Sequence, residues 1–238
     1  MTEAPRSPDH ASWLPRTIVL LGTDAAGKNH VARVWARRLH EQGVDLTIHE
    51  GWLAAPATGP DGDDDKSFFS HLAEQVFLLV FPLIGWIMPP ILNWLIRRDA
   101  RRFTDDGQRR LIVSHSALRI LAFTLGARGR TIEALPASSR RAVRELHRQS
   151  RAIVFVLDVD PDVRRRRIEE RVERSDSDPF DRYMLTDMTR AERIEAFLVD
   201  LATRQMDAHL IVNNQLDDDA LWTELEKACR AESALKST

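Results

Sequence analysis

The segment LGTDAAGKNH at residues 21–30 constrains this chain more than any other, because it places the pattern G-x-x-x-x-G-K between two different hydrophobic patterns. The run before it, Thr17–Leu21 (TIVLL), is short, apolar and β-branched, which is typical of a buried parallel strand. Over residues 28–40 the apolar residues instead recur at helical spacing. The segment therefore predicts a strand, a glycine-containing turn and a helix, in that order.

The predicted turn has the composition of a phosphate-binding loop. Gly22 and Gly27 let successive backbone N–H groups converge on a phosphate, and the positive end of the following helix adds to that field. Lys28 would place its ammonium on the β- and γ-phosphates. The alternative is an ordinary glycine-containing turn between a strand and a helix. The predicted nucleotide-binding residues are Gly22, Thr23, Asp24, Ala25, Ala26, Gly27, Lys28, Asn29 and His30.

One position departs from the pattern. The residue after the lysine is ordinarily Ser or Thr, whose hydroxyl coordinates Mg²⁺, and here it is Asn29. An amide oxygen can bind Mg²⁺, but it lies one atom further out and octahedral geometry is demanding. We therefore expect a weak or water-mediated metal site at Asn29.

Four further apolar runs predict strands, and helical patterns separate them, so the chain should form a doubly wound parallel five-stranded α/β sheet of the P-loop nucleoside triphosphate hydrolase type. Ligands of such sheets bind at the carboxyl ends of the strands. The remaining predicted strands are residues 44–49, 111–114, 152–157 and 209–212, and the clearest helices after the first are residues 162–174, 188–206 and 217–231.

Composition excludes some classes of protein. The formal net charge is −2, so nothing global indicates nucleic acid as a partner. A lone cysteine, Cys229, and a start that is neither basic nor apolar favour a reducing cytoplasm. Roughly twenty arginines nevertheless lie between Arg97 and Arg174, so this part of the chain could face phosphate.

Together these segments resemble the thymidylate kinase and deoxynucleoside kinase group of P-loop kinases. The resemblance rests on GTDAAGKN at 22–29, HEGW at 49–52 and LDVDPDVRRRRIEER at 157–171. It implies ATP and Mg²⁺ as cofactors, a nucleoside or nucleotide acceptor, and a domain over residues 16–238 behind a flexible tail at 1–15. Within that domain it implies an arginine-bearing lid at about 160–182.

The resemblance also implies roles for single residues. Asp24 matches an acid that helps to place the acceptor sugar, and Glu50 matches a carboxylate that acts near the acceptor hydroxyl. Trp52 lies near the position of an aromatic residue that lines the base pocket. The loop carries no arginine, so the lid should supply the guanidinium groups that stabilise the transferred phosphoryl group. The expected catalytic residues are Lys28, Glu50, Arg164, Arg167 and Arg171, with Arg174 also available.

The match fails after the third strand, where the kinases carry an acid–arginine pair. Residues 114–119 here read SHSALR, without an acid. His115 or Ser116 could substitute through water, and Arg119 follows one helical turn later. The sequence DRY at 181–183 comes after the lid helix and is interpreted as a coincidence.

An apolar insert, at about residues 68–103, contains some twenty residues without a charge at 76–96. Strands on both sides of this run must join one sheet, which excludes a single membrane span. Its prolines predict two short helical pieces. Three interpretations stay open: a buried helical pair or homodimer contact through 70–97, a peripheral membrane contact anchored by Trp86, Trp94 and the following arginines, and a pocket for an apolar acceptor.

Two functions follow from these observations. The first is an ATP-dependent phosphotransferase that acts on a nucleoside or nucleoside monophosphate. The second is a catalytically weak nucleotide-binding protein, associated with a membrane or a partner, as Asn29 and the missing acid favour.

Overall fold

The computed structural model describes residues 13–54, 88–103, 105, 107–174 and 179–236. Five strands form one sheet in the order β2-β3-β1-β4-β5, and each pairs in parallel with its neighbours. The predicted doubly wound parallel five-stranded sheet is therefore confirmed. The strands are β1 (Thr17–Leu21), β2 (Thr47–Glu50), β3 (Arg110–Val113), β4 (Ile153–Asp158) and β5 (His209–Val212).

Helices cover the sheet between these strands. In chain order they are α1 (Lys28–Glu41), α2 (Met88–Arg102), α3 (Ser116–Gly126), α4 (Ala137–Ser150), α5 (Pro161–Glu173), α6 (Pro179–Leu185), α7 (Met188–Met206) and α8 (Asp218–Lys236), with a short 3₁₀ turn at Ile132–Ala134.

Two hydrophobic cores lie on the two faces of the sheet, because successive strand residues point to opposite sides. In β1, Ile18 and Leu20 pack under α1 and α8, whereas Val19 and Leu21 pack under α2, α3, α4 and α7. Trp35 of α1 is fully buried in the first core and donates its indole N–H to the carbonyl of Leu221 at 2.9 Å. Strands β1, β3 and β4 are buried along nearly all their length, which explains why apolar runs predicted them, whereas β2 and β5 at the sheet edges are partly exposed.

The insert differs from its prediction where the structure describes it. Pro89 and Pro90 do not end a helix but stand in the first turn of α2, where proline is tolerated. The helix then continues past Ile96 through the arginines to Arg102. The tail residues 1–12, insert residues 68–87 and lid residues 175–178 lie outside the described residues, and so does Trp86. In the described part of the chain, no helix combines the length and apolarity that a membrane span needs.

Candidate phosphate-binding cleft

The loop between β1 and α1 lies at the carboxyl edge of the sheet, where parallel α/β folds bind ligands. Gly27 has φ +86° and Ala25 has φ +60°, so the loop turns through two left-handed residues. A side chain at Gly22 would lie 3.1 Å from Cβ of Ala26 and 3.3 Å from Cβ of Leu157. The glycines of the motif therefore meet a conformational need at one position and a close approach at the other.

Three contacts fix this loop from neighbouring elements. Asn213, just after β5, donates its side-chain amide to the carbonyl of Ala26 at 2.8 Å. Arg167 of α5 donates to the carbonyl of Ala25 at 3.3 Å. Arg119 of α3 forms an ion pair with Asp24 at 3.1 Å. The loop is thus held by elements from both sides of β1 before any ligand binds, which favours binding because less order must be gained.

Lys28 lies at the floor of the cleft and is only 9% exposed. Its ammonium donates to the carbonyl of Thr23 at 2.6 Å, inside the same loop. Asn29 and His30 are exposed in the first turn of α1, and the His30 ring lies 3.2 Å from the carboxylate of Asp218 at the start of α8. Lys28 and Asn29 both line an open cleft at this edge of the sheet.

This open volume is a cleft of about 680 Å³, within the usual range for a small-molecule site. Among the described residues, six permanently charged cations and three carboxylates line it, so it favours an anion. The cations are Lys28, Arg33, Arg119, Arg167, Arg171 and Arg174, and the carboxylates belong to Asp24, Glu50 and Glu170.

Helix α5 and the residue that follows it bring three arginines to the cleft. Arg167 is half-buried and also donates to the carbonyls of Asn213 and Asn214 at 3.0 and 3.1 Å. Arg171 donates to both carboxylate oxygens of Asp181, at 3.1 and 2.9 Å. Arg174 is exposed at the mouth of the cleft. These side chains follow one another at spacings of four and three residues, so one helix face presents them all.

Arg164 is expected among the catalytic arginines, but its side chain is not part of the described lining of the cleft. Its side chain is fully buried, forms an ion pair with Glu195 of α7 and donates to the carbonyl of Val159 at 2.9 Å. Burial lowers its pKa to about 10, and nearby acids such as Asp158 oppose this shift, so the guanidinium stays charged at neutral pH. Arg164 therefore lies behind the described lining of the cleft, because Glu195 and the carbonyl of Val159 bind its guanidinium inside the domain.

Glu50 ends β2 and exposes its carboxylate on the opposite wall of the cleft, with Trp52 beside it. Gly51 between them has φ +79°, and a Cβ there would lie 2.6 Å from the hydroxyl of Ser116. Both the positive φ and this close approach favour glycine in the turn. Its close approach to α3 sets the position of Glu50 relative to the loop.

Sequence reasoning missed the residue that holds this wall from behind. Asp99 of α2 accepts hydrogen bonds from the N–H groups of Leu53 and Ala54 at 2.9 and 3.1 Å, and its carboxylate lies 3.1 Å from Nε2 of His115. His115 Nδ1 caps α3 by accepting from the N–H of Leu118, so Nε2 carries the proton. An acid thus does reach residue 115, but from the insert rather than from the strand end. In the sequence, Asp99 is a single acid among arginines, so its contact with residue 115 could not be predicted.

Two further residues, Asp181 and Asn213, contact groups of the cleft although the sequence analysis gave them no role. Asp181 belongs to the DRY sequence that was interpreted as a coincidence, yet it is fully buried and fixes Arg171. Asn213 was not singled out, although its position directly after a predicted strand could have marked it. Both residues orient groups that the motif analysis did find.

The residues present fit a triphosphate. They also offer oxygen ligands for a magnesium ion, but fewer than such an ion needs. Gly27 and Ala25 shape an amide-lined turn for phosphate, and the amide oxygen of Asn29 and the carboxylates of Asp24 and Glu50 are oxygen donors of the kind that Mg²⁺ prefers. Among the described residues, no cluster of three or more His, Cys, Asp or Glu could hold a metal by itself. A metal here would need oxygen ligands from the nucleotide and from water.

No family model and no curated protein matches the sequence. Among solved structures, the chain is similar to a thymidylate kinase from Ehrlichia chaffeensis, with 15% sequence identity and a TM-score of 0.41. That likeness covers 94% of this chain and 100% of the kinase.

Proposed function

We propose that this protein binds the phosphates of ATP on the loop from Gly22 to Asn29 and transfers the terminal phosphoryl group to a nucleoside or nucleoside monophosphate. One observation carries the proposal. The loop, Lys28 and the arginine face of α5 converge on one cleft, and the exposed carboxylate of Glu50 lies on its opposite wall. One wall of the cleft therefore suits the phosphates of ATP, and the opposite wall suits the group that accepts the phosphoryl group.

On the donor side, the backbone N–H groups of the loop and the positive end of α1 attract the phosphates. Lys28 already directs its ammonium to a carbonyl oxygen of the loop, and a phosphate oxygen is a stronger acceptor because it is charged. The loop needs little rearrangement, since Asn213 and Arg167 hold it from outside.

During transfer, negative charge spreads over the oxygens of the phosphoryl group, and permanently charged guanidinium groups stabilise it. Arg171 is preset for this task because the buried carboxylate of Asp181 holds its position. Arg174 lies one helical turn further towards the mouth of the cleft. Arg167 has a different role in the proposal, because its donors already hold backbone carbonyls around the loop.

On the acceptor side, Glu50 would bind the acceptor hydroxyl and take its proton as the new oxygen–phosphorus bond forms and ADP leaves. Trp52 offers an aromatic surface for a base. The Asp24–Arg119 pair lies between the loop and this wall, at 3.1 Å, and can bind a sugar hydroxyl or an acceptor phosphate.

Magnesium would be held by the Asn29 amide oxygen, by one or two of the nearby carboxylates and by water. It would supply neutralisation of the phosphate charge. The weaker protein contribution at Asn29 predicts that the nucleotide itself provides much of the coordination.

A second candidate is a nucleotide-binding protein with little or no turnover. It is favoured by Asn29 and by residues 114–119, which place serines instead of an acid on the cleft wall after β3. In that case the cleft would report the presence of nucleotide rather than consume it.

Product formation from Mg-ATP separates the two candidates. Each of the common nucleosides and nucleoside monophosphates is incubated with the purified protein, and phosphorylated product is measured by chromatography. We expect product from at least one acceptor and at least a hundredfold slower formation in Glu50→Gln for a nucleoside acceptor. Glu41→Gln, at the exposed end of α1, is the matched control. Nucleotide binding without any product would support the second candidate and overturn the first.

A further inference from the structure

Helix α2 has two faces of opposite character. Its inner face packs on α3 and α4 through Leu92, Ile96 and Ala100, which are all buried. On the same side, Asn93 donates its amide to the hydroxyl of Ser138 at 3.2 Å. The helix is therefore firmly attached to the domain through this inner face.

The outer face combines apolar and cationic side chains. Ile91 and Trp94 are 46% and 58% exposed in the first half of the helix. Arg98, Arg101 and Arg102 follow on the exposed side, and the Arg98 guanidinium lies 5.2 Å from the centre of the Trp94 ring. Spacings of three and four residues align these side chains along one stripe.

Within the described part of the chain, the arginines on and beside this stripe have few carboxylate partners. Among the described residues, Arg97 approaches Glu145 at 3.8 Å, whereas no carboxylate lies within ion-pair distance of Arg98, Arg101 or Arg102. These arginines help to line a shallow concavity of about 530 Å³. The surface is therefore electropositive and lies beside an exposed indole.

We propose that the outer face of α2 docks on an anionic phospholipid surface. Guanidinium groups bind lipid phosphates, and tryptophan prefers the interface between headgroups and acyl chains, so the stripe matches both layers that a peripheral protein meets.

The competing occupant is a second copy of the chain. A twofold interface places the same patch of both copies face to face. Arg98, Arg101 and Arg102 of one copy would then meet the same three of the other, and like charges oppose such a contact. Lipid phosphates supply the opposite charge that a second copy lacks.

Vesicle binding tests the proposal. Purified full-length protein is co-sedimented with vesicles of phosphatidylglycerol and phosphatidylcholine, and with vesicles of phosphatidylcholine alone. We expect binding to the anionic vesicles that weakens with salt, and little binding to the neutral ones. Trp94→Phe should remove most of the blue shift in tryptophan fluorescence on binding.

A matched pair of variants assigns the surface. Each cationic residue near an anionic membrane contributes roughly a fivefold factor in affinity, so Arg101→Gln with Arg102→Gln should bind about thirtyfold more weakly. Arg165→Gln with Arg166→Gln makes the same charge change on the exposed side of α5 and should bind nearly as the wild type does. All these side chains are exposed, so folding should be unaffected, as circular dichroism can verify.

Three results would overturn the proposal. The first is no sedimentation with anionic vesicles at low salt. The second is equal loss in both double variants, which would indicate net charge rather than a surface. The third is a dimer in the absence of vesicles that Trp94→Ser dissociates while vesicle binding is missing, which would assign the stripe to a second copy.

Discussion

Replacing Asp99 by alanine removes the carboxylate that joins α2 to the wall of the cleft. That side chain is 5% exposed and accepts hydrogen bonds from Leu53 N–H, Ala54 N–H and the His115 ring. The substitution leaves all three donors without their acceptor, and the Leu53 and His115 donors are in buried residues. Leu53 and Ala54 continue the turn that carries Glu50, so the loss affects both stability and the cleft.

The expected cost follows from these contacts. Removing one partner of a buried pair typically costs about 3–5 kcal/mol, because the remaining groups stay desolvated. Ala54 is exposed and water can satisfy its N–H, so we expect about 3 kcal/mol. For a chain of this length the slope m in urea is about 3 kcal/mol/M, so the urea midpoint should fall by roughly 1 M at an unchanged slope.

The effect of Asp99 should depend on pH in one direction. Burial raises the pKa of Asp99, but the hydrogen bonds from His115 and from the backbone N–H groups of Leu53 and Ala54 outweigh burial, so the pKa lies below its usual range. A depressed folded-state pKa gives stability that is present above the unfolded value, near pH 4, and is lost as the pH falls through the folded value. The difference between wild type and Asp99→Ala should therefore shrink below about pH 4.

A matched control is the exposed Asp45–His40 pair, at 3.4 Å, in which Asp45 is 96% exposed. Asp45→Ala should change the free energy of unfolding by at most about 1 kcal/mol. If Asp99→Ala costs no more than Asp45→Ala in urea titrations, the assignment of Asp99 as the support of the cleft wall is wrong.

Three further predictions concern the cleft. Gly27→Ala should abolish nucleotide binding measured by calorimetry, because φ is +86° there and the new Cβ would lie 2.7 Å from the Asn213 amide; normal affinity would contradict the loop geometry. Asn29→Thr should strengthen the Mg²⁺ dependence of nucleotide binding in a metal titration, since a hydroxyl suits octahedral coordination; weaker dependence would refute this. Arg171→Ala should slow product formation by at least tenfold and also lower the thermal midpoint, because the buried carboxylate of Asp181 loses its partner, whereas Arg165→Ala, exposed on the same helix, should change neither; equal effects would make the arginine run an ordinary solvated face.

Much of the fold was predictable, because buried strands and amphipathic helices carry local signals. The predicted strands overlap all five observed ones, and β1 and β5 match at both ends. β2 begins at Thr47 rather than at residue 44, because Val44 instead packs under α1 after the turn at Gly43. Helix α2 was harder to predict, since two adjacent prolines end a helix in most positions but start one in its first turn.

The site was predictable where a motif is contiguous and less so where it depends on packing. Lys28 and Glu50 line one cleft, as strand ends in a parallel sheet should. Arg164 and Arg167 lie three residues apart on nearly the same side of α5, and only their tertiary contacts separate them, because Arg164 pairs with the buried Glu195 of α7 whereas Arg167 donates to the loop carbonyl of Ala25. Asp99 acts across 46 residues of chain, so only the folded structure brings it to Leu53.

The central claim is that Lys28 and its loop bind the phosphates of a nucleotide, and the thermal midpoint in Mg-ATP tests it most directly. A ligand at a hundred times its Kd stabilises a protein by about 2.7 kcal/mol, which for this length is roughly 5 to 10 °C. We predict a shift of this size for the wild type and for Lys227→Ala, an exposed lysine on α8, and almost none for Lys28→Ala. An equal shift in Lys28→Ala, or no shift in the wild type at millimolar Mg-ATP, would contradict the account.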